Sequence, residues 1–516
     1  MKLNYKRTIL VGFAFFLISA FWQAYDATIP VILTNKFGMS QAWSGVIMAL
    51  DNILAVFMLP IFGALSDKCL TRYGKRTPFI TIGTVIAAAA ILCLSFVDNA
   101  QLENISAVSA IDDPAALEVI YDAEADATLQ TPEGEQFVLR DLLSKEEFTA
   151  IRVRITGETG KTVTNPDYTN YVAPARQAYA RHRTHENPTA LILFIALLLV
   201  VLLAMATFRS PAVALMPDVT MKPLRSKANA IINLMGTAGG ILVLVLGMVF
   251  STSAVQNAMM SYTVYYAVIA SIMLGALIIF LSTVREPQWA AQMAADSVKY
   301  GIEEETGETD AKRSLSSSEV KSLICILLSI VLWYFGYNAV TSKYAVYAGN
   351  ILDKDYNTTM LLAQGAAIIA YLPAGVVASK IGRRKTILGG IVMLATAFGF
   401  AAFMRASSPT WAMNLLFALA GVAWATINVN SFPMVVEMCS SADIGKYTGF
   451  YYTASMTAQI ITPMLSGFLM DKMGMTVLFP YAAIFVVLAF VTMFAVKHGD
   501  SKVAARIGLE ALDVED

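Results

Sequence analysis

Charged residues are scarce in this sequence, because Asp, Glu, Lys and Arg make up 15% of its 516 residues while hydrophobic residues make up 57%. Soluble globular proteins carry about 25% charged residues, so the composition excludes that class. Cysteine and histidine are also rare, with four and three residues, and their spacing indicates neither a disulfide framework nor a metal site. We therefore expect no metal and no cofactor.

Two further functions lack their usual signals. The net charge of −1 gives no basis for binding nucleic acid, which requires a strong excess of positive charge. The sequence has no nucleotide-binding loop and no nucleophile elbow. We therefore expect a protein that is not an enzyme and that binds no nucleic acid.

What the sequence has instead is long apolar runs, and about 20 apolar residues suffice for a helix to cross a bilayer. Twelve such runs occupy residues 8–33, 43–66, 78–98, 189–217, 227–250, 261–284, 321–347, 358–379, 386–404, 410–436, 447–470 and 475–497. We divide the chain into residues 1–98 (helices 1–3), 99–187 (an insertion), 188–284 (helices 4–6), 285–320 (a linker), 321–497 (helices 7–12) and 498–516 (a tail). The sequence thus predicts an all-α membrane protein of twelve transmembrane helices in two pseudo-symmetric six-helix halves.

One short loop occurs in both halves. In the first half, GALSDKCLTRYGKRTPFI (Gly63–Ile80) places a basic, glycine-containing turn between two apolar runs. A degenerate copy, ASKIGRRKT (Ala378–Thr386), follows 308 residues later when the two loop glycines are aligned. Internal duplication is common in transporters. The loop residues assigned to this conformational motif are Asp67, Arg72, Gly74, Arg76, Gly382, Arg383 and Arg384.

The distribution of positive charge predicts the orientation. Fourteen Lys and Arg residues lie in the amino terminus and in the loops on the motif side, against about four in short loops on the other side. Cytoplasmic loops carry the excess of positive charge, so we expect a multi-pass cell-membrane protein with both termini in the cytoplasm. The first apolar run lacks a convincing cleavage site, so we interpret it as an uncleaved helix.

The insertion at residues 99–187 is polar and acidic, with 15 acidic and 8 basic residues. In the twelve-helix layout it is extracytoplasmic. Residues 137–139 and 151–155 have strand character and residues 144–150 have helix character, so we expect a small α+β domain.

Two carboxylates fall within the apolar runs. Asp26 and Asp51 lie at similar depth on neighbouring predicted helices, about 10 and 13 Å from the same surface. Ionisable residues at such depth are costly and are usually functional, so both are candidates for carrying a coupling cation. They could instead be hydrated residues at a cavity mouth or partners of a basic side chain.

The candidate substrate-binding residues are polar and aromatic. A sugar presents apolar C–H patches between its hydroxyls, and aromatic rings with amides match both surfaces. Arg209, just before two prolines, could bind substrate or could pair with Asp218 at the membrane surface, and an interfacial aromatic belt is the competing explanation for the tyrosines. Pro433 suggests a broken tenth helix. The candidates are Trp22, Gln23, Tyr25, Arg209, Tyr334, Tyr337, Asn338, Asn428, Asn430 and Gln459.

With these residues in view, the chain resembles major facilitator superfamily transporters. SDKCLTRYGKRTPFI, FGYNAV and NSFPMVVE are similar to the sucrose–proton symporter branch of the glycoside-pentoside-hexuronide cation symporters. The resemblance implies cation-driven uptake of a disaccharide or other glycoside by alternating access. The sodium-using relatives place carboxylates at the positions of Ala55 and Leu59, so the departure here favours protons over sodium.

The sequence leaves two alternatives open. One is a facilitator or exporter of another small or amphipathic solute on the same fold. The other is a membrane-anchored sensor or partner-binding protein that acts through the insertion. We expect a monomer in the lipid bilayer with a small-molecule sugar and a proton as its partners.

Overall fold

Twelve long helices account for most of the structure, a computed structural model that describes residues 3–69, 71–156, 162–221, 224–299, 316–436, 438 and 444–498. Within these residues, the long helices are α1 (Tyr5–Asn35), α2 (Gln41–Lys68), α3 (Thr77–Asn104), α8 (Thr189–Asp218), α9 (Arg225–Phe250), α10 (Thr263–Thr283), α12 (Ser317–Tyr347), α13 (Tyr356–Ile381), α14 (Arg383–Ala401), α15 (Thr410–Val436), α16 (Ile444–Met473) and α17 (Leu478–Phe494). Ten of them are long and apolar enough to cross a membrane, and α13 and α16, of 26 and 30 residues, complete the set. The predicted twelve-helix fold is confirmed.

The insertion is a small α+β region between α3 and α8, as predicted. Its elements are α4 (Pro114–Glu124), β1 (Thr128–Gln130), β2 (Gln136–Val138), α5 (Leu139–Leu142), α6 (Lys145–Ala150), β3 (Arg154–Thr156), β4 (Thr162–Thr164) and α7 (Ala173–Glu186). β1 pairs with β2 and β3 with β4, both antiparallel. A separate apolar core that includes Leu117, Phe148 and Tyr168 is buried among these elements, so the region has its own packing.

Three predicted boundaries differ from the structure. α3 continues to Asn104 rather than ending near residue 98, because the polar residues after the apolar run still carry a helical turn or two above the span. The strand expected at residues 151–155 begins at Arg154. The tenth long helix is not broken: α15 is continuous over Thr410–Val436 with Pro433 inside it, and the missing N–H of the proline removes one hydrogen bond near the end of the helix.

Part of the linker is helical. α11 (Glu286–Lys299) follows α10 after two residues, as the sequence predicts for the linker, whereas residues 300–315 and the tail from residue 499 lie outside the described residues. The division of the chain into domains stays a prediction.

The chain forms two compact units, the first being Met1–Ile302 with Tyr344–Asn357 and Gly467–Thr476, and the second the remaining residues. In unit 1, α1 packs along α9 and α3 along α8. Gly239 of α9 lets α1 approach closely, since a Cβ there would lie 2.5 Å from the carbonyl oxygen of Phe16. Small residues of this kind drive helix packing in membranes, where no water-based hydrophobic force acts between helices. In unit 2, α14 packs against α15 and α17.

Candidate functional site

The two intramembrane carboxylates lie close together in unit 1. Asp26 on α1 and Asp51 on α2 interact electrostatically with each other, and Asp51 also interacts with Arg209 of α8. Asp51 accepts a hydrogen bond of 2.7 Å from Asn52. A charge at this depth is costly unless it is paired or hydrated. With both acids ionised, Asp26, Asp51 and Arg209 together carry a charge of −1.

Arg209 belongs to this cluster and not to the end of its helix. Its guanidinium lies 5.8 Å from the ring centroid of Trp22, and it contributes a favourable interaction to Asp51. The sequence left open a pairing of Arg209 with Asp218. In the structure, Asp218 accepts a hydrogen bond from Arg76. The position before the prolines therefore brings Arg209 to Asp51 and to the ring of Trp22.

Polar atoms from α1 border the acids. The Nε1 of Trp22 and the hydroxyl of Tyr25 are buried and have no hydrogen-bond partner within the described part of the chain. Buried polar groups are nearly always paired, so an orphan calls for a ligand or a water. Gln23 donates a 3.2 Å hydrogen bond to the hydroxyl of Tyr356, whose ring packs 5.8 Å from that of Tyr344.

Sequence reasoning missed Tyr356 and Tyr344. Both lie in the segment of unit 1 that comes from the second half of the sequence, more than 300 positions from Gln23. Their aromatic character was visible, but nothing local in the sequence indicates which distant helix a tyrosine faces.

Unit 2 holds the second group of candidates. Tyr337 of α12 stacks on Trp424 of α15, with ring centroids 3.6 Å apart and planes 6° from parallel. Tyr334 meets the same tryptophan edge-on at 5.2 Å and hydrogen bonds to Tyr451. The amide nitrogen of Asn338 is buried without a partner among the residues that the structure describes. Trp424 was not predicted, because it lies within the apolar tenth run and nothing in the sequence distinguishes it from the other apolar residues there.

The remaining polar candidates of unit 2 use part of their hydrogen-bonding capacity inside the protein. Asn430 is 2% exposed and donates to the backbone carbonyl of Thr426, at 2.8 Å. Gln459 donates to the carbonyl of Ser455 at 3.4 Å. Asn428 bonds to the hydroxyl of Tyr371. Among the bonds of the described residues, the one from Asn428 therefore joins two helices, α15 and α13.

The first motif loop is held by three acids in unit 1. Arg76 donates to Asp67 at 2.5 Å and to Asp218 at 2.7 Å, and it also bonds Ser66. Its side chain is 6% exposed. The third acid, Glu286 at the start of α11, was not predicted and is also buried.

Glu286 caps the amino terminus of α3. Its carboxylate accepts backbone N–H bonds from Lys75, Arg76 and Thr77 at 2.6 to 2.9 Å, and a further bond from the Thr77 hydroxyl. The first N–H groups of a helix have no partner within it and favour a negative charge. Gly74 precedes this contact with a φ of 114°, and a Cβ there would lie 2.2 Å from the Glu286 carboxyl carbon.

The described contacts of Arg72 and of the second motif loop do not involve the acids that bind Arg76. Arg72 hydrogen bonds to and stacks on the adjacent Tyr73. In unit 2, Gly382 has a φ of 95° and directly precedes α14. Arg384 donates to the backbone carbonyl of Phe494 at 2.6 Å, and Arg383 lies in the first turn of α14.

An unpredicted ion pair is buried at the other end of the first-half helices. Lys36 donates to both carboxylate oxygens of Asp98, at 2.6 and 2.7 Å, and to the carbonyl of Met260. Both side chains are 0% exposed. The pair ties the ends of α1, α3 and α10 together, and sequence reasoning had placed Lys36 in a solvated loop.

Comparison with known families supports the resemblance. The family model "Major Facilitator Superfamily" matches residues 351–509, and "MFS/sugar transport protein" matches residues 10–103. The chain is 32% identical over 74 residues to the sucrose transport protein SUC4 of Arabidopsis thaliana, which is 14% of each chain. It is 28% identical over 120 residues to the MFS-type transporter ppzB of Metarhizium majus, 23% of this chain and 26% of that protein. The matches thus span about a quarter or less of the relatives' length.

Solved structures resemble the whole chain. The xylose transporter XylE from E. coli in an inward open conformation aligns with a TM-score of 0.59 at 15% identity, over 99% of this chain and 100% of that one. A bacterial homologue of the iron transporter ferroportin aligns with a TM-score of 0.58 at 12% identity, over 96% and 99% of the two chains. At such identities the likeness establishes the fold alone. The chain is therefore a membrane protein with the major facilitator fold, and its sequence resembles the sugar transporters of that superfamily.

Proposed function

We propose that this protein is a proton-coupled symporter that imports a disaccharide or another glycoside by alternating access. The observation that carries the proposal is the cluster of Asp26, Asp51 and Arg209 beside polar atoms of Trp22 and Tyr25 that have no hydrogen-bond partner among the described residues. It supplies a group that can take up a proton next to groups that can bind hydroxyls.

The proposed coupling follows from the charge of the cluster. With both acids ionised, one negative charge remains beyond what Arg209 balances, and moving it into a closed, dehydrated site is costly. A proton on either acid removes that charge. Closure around the sugar is then favoured only when the proton is present, which couples the two movements.

The proposed substrate class follows from the surroundings. In unit 1, Trp22 and Tyr25 provide aromatic rings beside the acids. Unit 2 by itself carries a second such set, the stacked rings of Tyr337 and Trp424 with the amides of Asn338 and Asn428. Aromatic faces with a few placed polar groups suit a sugar. Ala55 and Leu59 stand where the sodium-using relatives have carboxylates, which favours the proton as the coupling ion.

Orientation and assembly complete the proposal. We place both termini and the two motif loops in the cytoplasm and the insertion outside the cell membrane, on the distribution of Lys and Arg. The single chain is the transporting unit, and its partners are the sugar, the proton and the bilayer.

The test uses radiolabelled sucrose as the probe in energised right-side-out vesicles. Asp26→Asn should abolish accumulation against a gradient, because the cluster then stays neutral throughout the cycle, while exchange of sucrose across the membrane continues. Asp167→Asn, which removes an exposed acid of the insertion, is the matched control and should accumulate normally. Normal accumulation by Asp26→Asn would remove Asp26 from the mechanism, and unchanged uptake after a protonophore would exclude proton coupling.

A further inference from the structure

The insertion is tied firmly to the first-half helices of unit 1. Gln177 of α7 donates to Asn35 at the end of α1, and Arg181 donates to the carbonyl of Gly38, both at 2.9 Å. Gln101 of α3 donates to Thr184 of α7, also at 2.9 Å. Because these bonds reach both α1 and α3, the insertion moves with those helices.

Its second hairpin holds a segment from the other half of the sequence. Thr164 of β4 donates to Asp353 from its hydroxyl, at 2.5 Å, and from its backbone nitrogen, at 3.2 Å. Asp353 follows the short π-helix Ala348–Leu352, which continues directly from α12. Bonds to a carboxylate are stronger than bonds between neutral groups, so this contact fixes the end of α12 to the hairpin.

Its first hairpin holds a different segment. The backbone nitrogen of Met475 donates to the carbonyl of Pro132 at 2.7 Å. Beside it the two chains touch, since a Cβ on Gly474 would lie 2.3 Å from the carbonyl oxygen of Glu133. Gly474 follows the last residue of α16, so the two hairpins of the insertion bind the ends of two helices.

Neighbouring contacts join the same segments without the insertion. Asp471 of α16 accepts from the backbone nitrogens of Gln41 and Ala42 at 2.8 Å each, at the amino terminus of α2. Ser253 donates to Asp355 at 2.5 Å. The insertion therefore adds two contacts to a face of unit 1 that is already closed by carboxylates.

We propose that the insertion is a latch on this face, carried by the first-half helices and holding the ends of α12 and α16. Alternating access, on which this inference depends, requires each face to open in turn. Since α12 and α16 are continuous helices that end in the latched segments, opening this face breaks the Thr164–Asp353 and Pro132–Met475 contacts. The strength of the latch then sets how often the face opens.

The first test measures the latch without transport. Spin labels at Glu135→Cys and Lys472→Cys, two exposed positions on either side of the first-hairpin contact, report the separation by pulsed electron resonance, after serine replaces the native cysteines. Thr164→Val combined with Asp353→Asn should increase the ratio of long to short distances about fivefold, the effect of losing one hydrogen bond. Thr162→Val, an exposed threonine of the same strand, should change nothing. A ratio unchanged by the latch variants would overturn the proposal.

The second test locks the latch. Residues joined by a main-chain hydrogen bond have Cα atoms within the range a disulfide spans, about 4.4 to 6.8 Å, so Pro132→Cys with Met475→Cys should cross-link on oxidation. Cross-linked protein should lose at least nine-tenths of its sucrose uptake, and reductant should restore it, while neither single variant responds. Failure to cross-link, or full uptake by cross-linked protein, contradicts the latch. If the unmodified protein transports neither sucrose nor any other glycoside, the proposed function fails while the distance measurement still decides this inference.

Discussion

The two motif loops have a similar backbone φ at their glycine, but their arginines bind different groups. Gly74 and Gly382 both adopt a positive φ, at 114° and 95°. Helix α14 begins directly after Gly382, and α3 begins three residues after Gly74. Two residues after its glycine, Arg76 binds two carboxylates within unit 1, whereas Arg384 binds the backbone carbonyl of Phe494 and lies over its ring within unit 2. The duplicated sequence preserves the turn, and among the contacts of the described residues Arg76 pairs with two acids while Arg384 contacts Phe494.

The difference indicates separate roles for the two loops. A glycine turn that starts a helix is a local property and survives duplication with little constraint. A carboxylate cluster needs residues from other helices, here Asp218 and Glu286, and it can change with protonation or conformation. The contacts of Arg76 therefore depend on α8 and α11, whereas the described contacts of Arg384 are to Phe494 at the end of α17.

The largest expected difference comes from removing the two arginines. Arg76→Ala leaves Asp218 and Asp67 without their cation and should lower the free energy of unfolding by about 3 kcal/mol, since bonds to charged groups contribute about 1.5 to 3 kcal/mol each. Arg384→Ala loses one bond to a carbonyl and should cost about 1 kcal/mol. Unfolding of the purified variants in detergent measures both. Equal losses in the two variants would mean that Asp67 and Asp218 add nothing to the stability that Arg76 provides.

Substituting the two glycines distinguishes the cost of straining the turn from the cost of disturbing its contacts. Gly74→Ala meets both the backbone strain of a positive φ, about 1 to 3 kcal/mol, and a clash with Glu286. Gly382→Ala should meet the strain, so we expect Gly74→Ala to cost more, at about 2 to 3 kcal/mol against about 1 to 2 kcal/mol. The same unfolding measurement compares them. The double variant Gly74→Ala with Glu286→Ala removes the clash, so its loss should be smaller than the sum of the losses in the two single variants.

Much of this architecture could be predicted from local sequence. Apolar runs of sufficient length predict the helices because each span must be apolar by itself, and the loop repeat predicts the duplicated halves. The depth of Asp26 and Asp51 along their helices predicted similar positions, and the structure places them within interacting distance.

Contacts between distant residues could not be predicted. Glu286 lies 210 positions from Arg76, and Gln23 lies 333 positions from Tyr356. The Lys36–Asp98 pair and the Trp424 stack have the same cause, because which residue faces which across two packed helices depends on their rotation and register. Periodicity in a nearly all-apolar run carries little information about either.

Neutralising the cap of α3 should have an intermediate effect. Glu286→Gln keeps the shape of the side chain but replaces a carboxylate that accepts four hydrogen bonds, and we expect a loss of about 1 to 2 kcal/mol. Glu103→Gln, at the exposed opposite end of the same helix, is the control and should stay within about 0.5 kcal/mol of the unmodified protein. A loss of the same size in both would show that the effect belongs to charge on the helix and not to the cap.

The smallest effects should come from replacing the two aspartates that bind Arg76. These variants test whether the more buried aspartate contributes more to stability. The side chain of Asp218 is 33% exposed and that of Asp67 is 62% exposed, and solvent weakens an ion pair as exposure rises. Asp218→Asn should cost about 1 kcal/mol and Asp67→Asn about 0.5 kcal/mol or less. High salt should reduce the Asp67 effect further, since the more exposed pair is the better screened. If Asp67→Asn costs more than Asp218→Asn, exposure does not determine the strength of these ion pairs. The stability of the first motif loop would then depend mainly on Asp67.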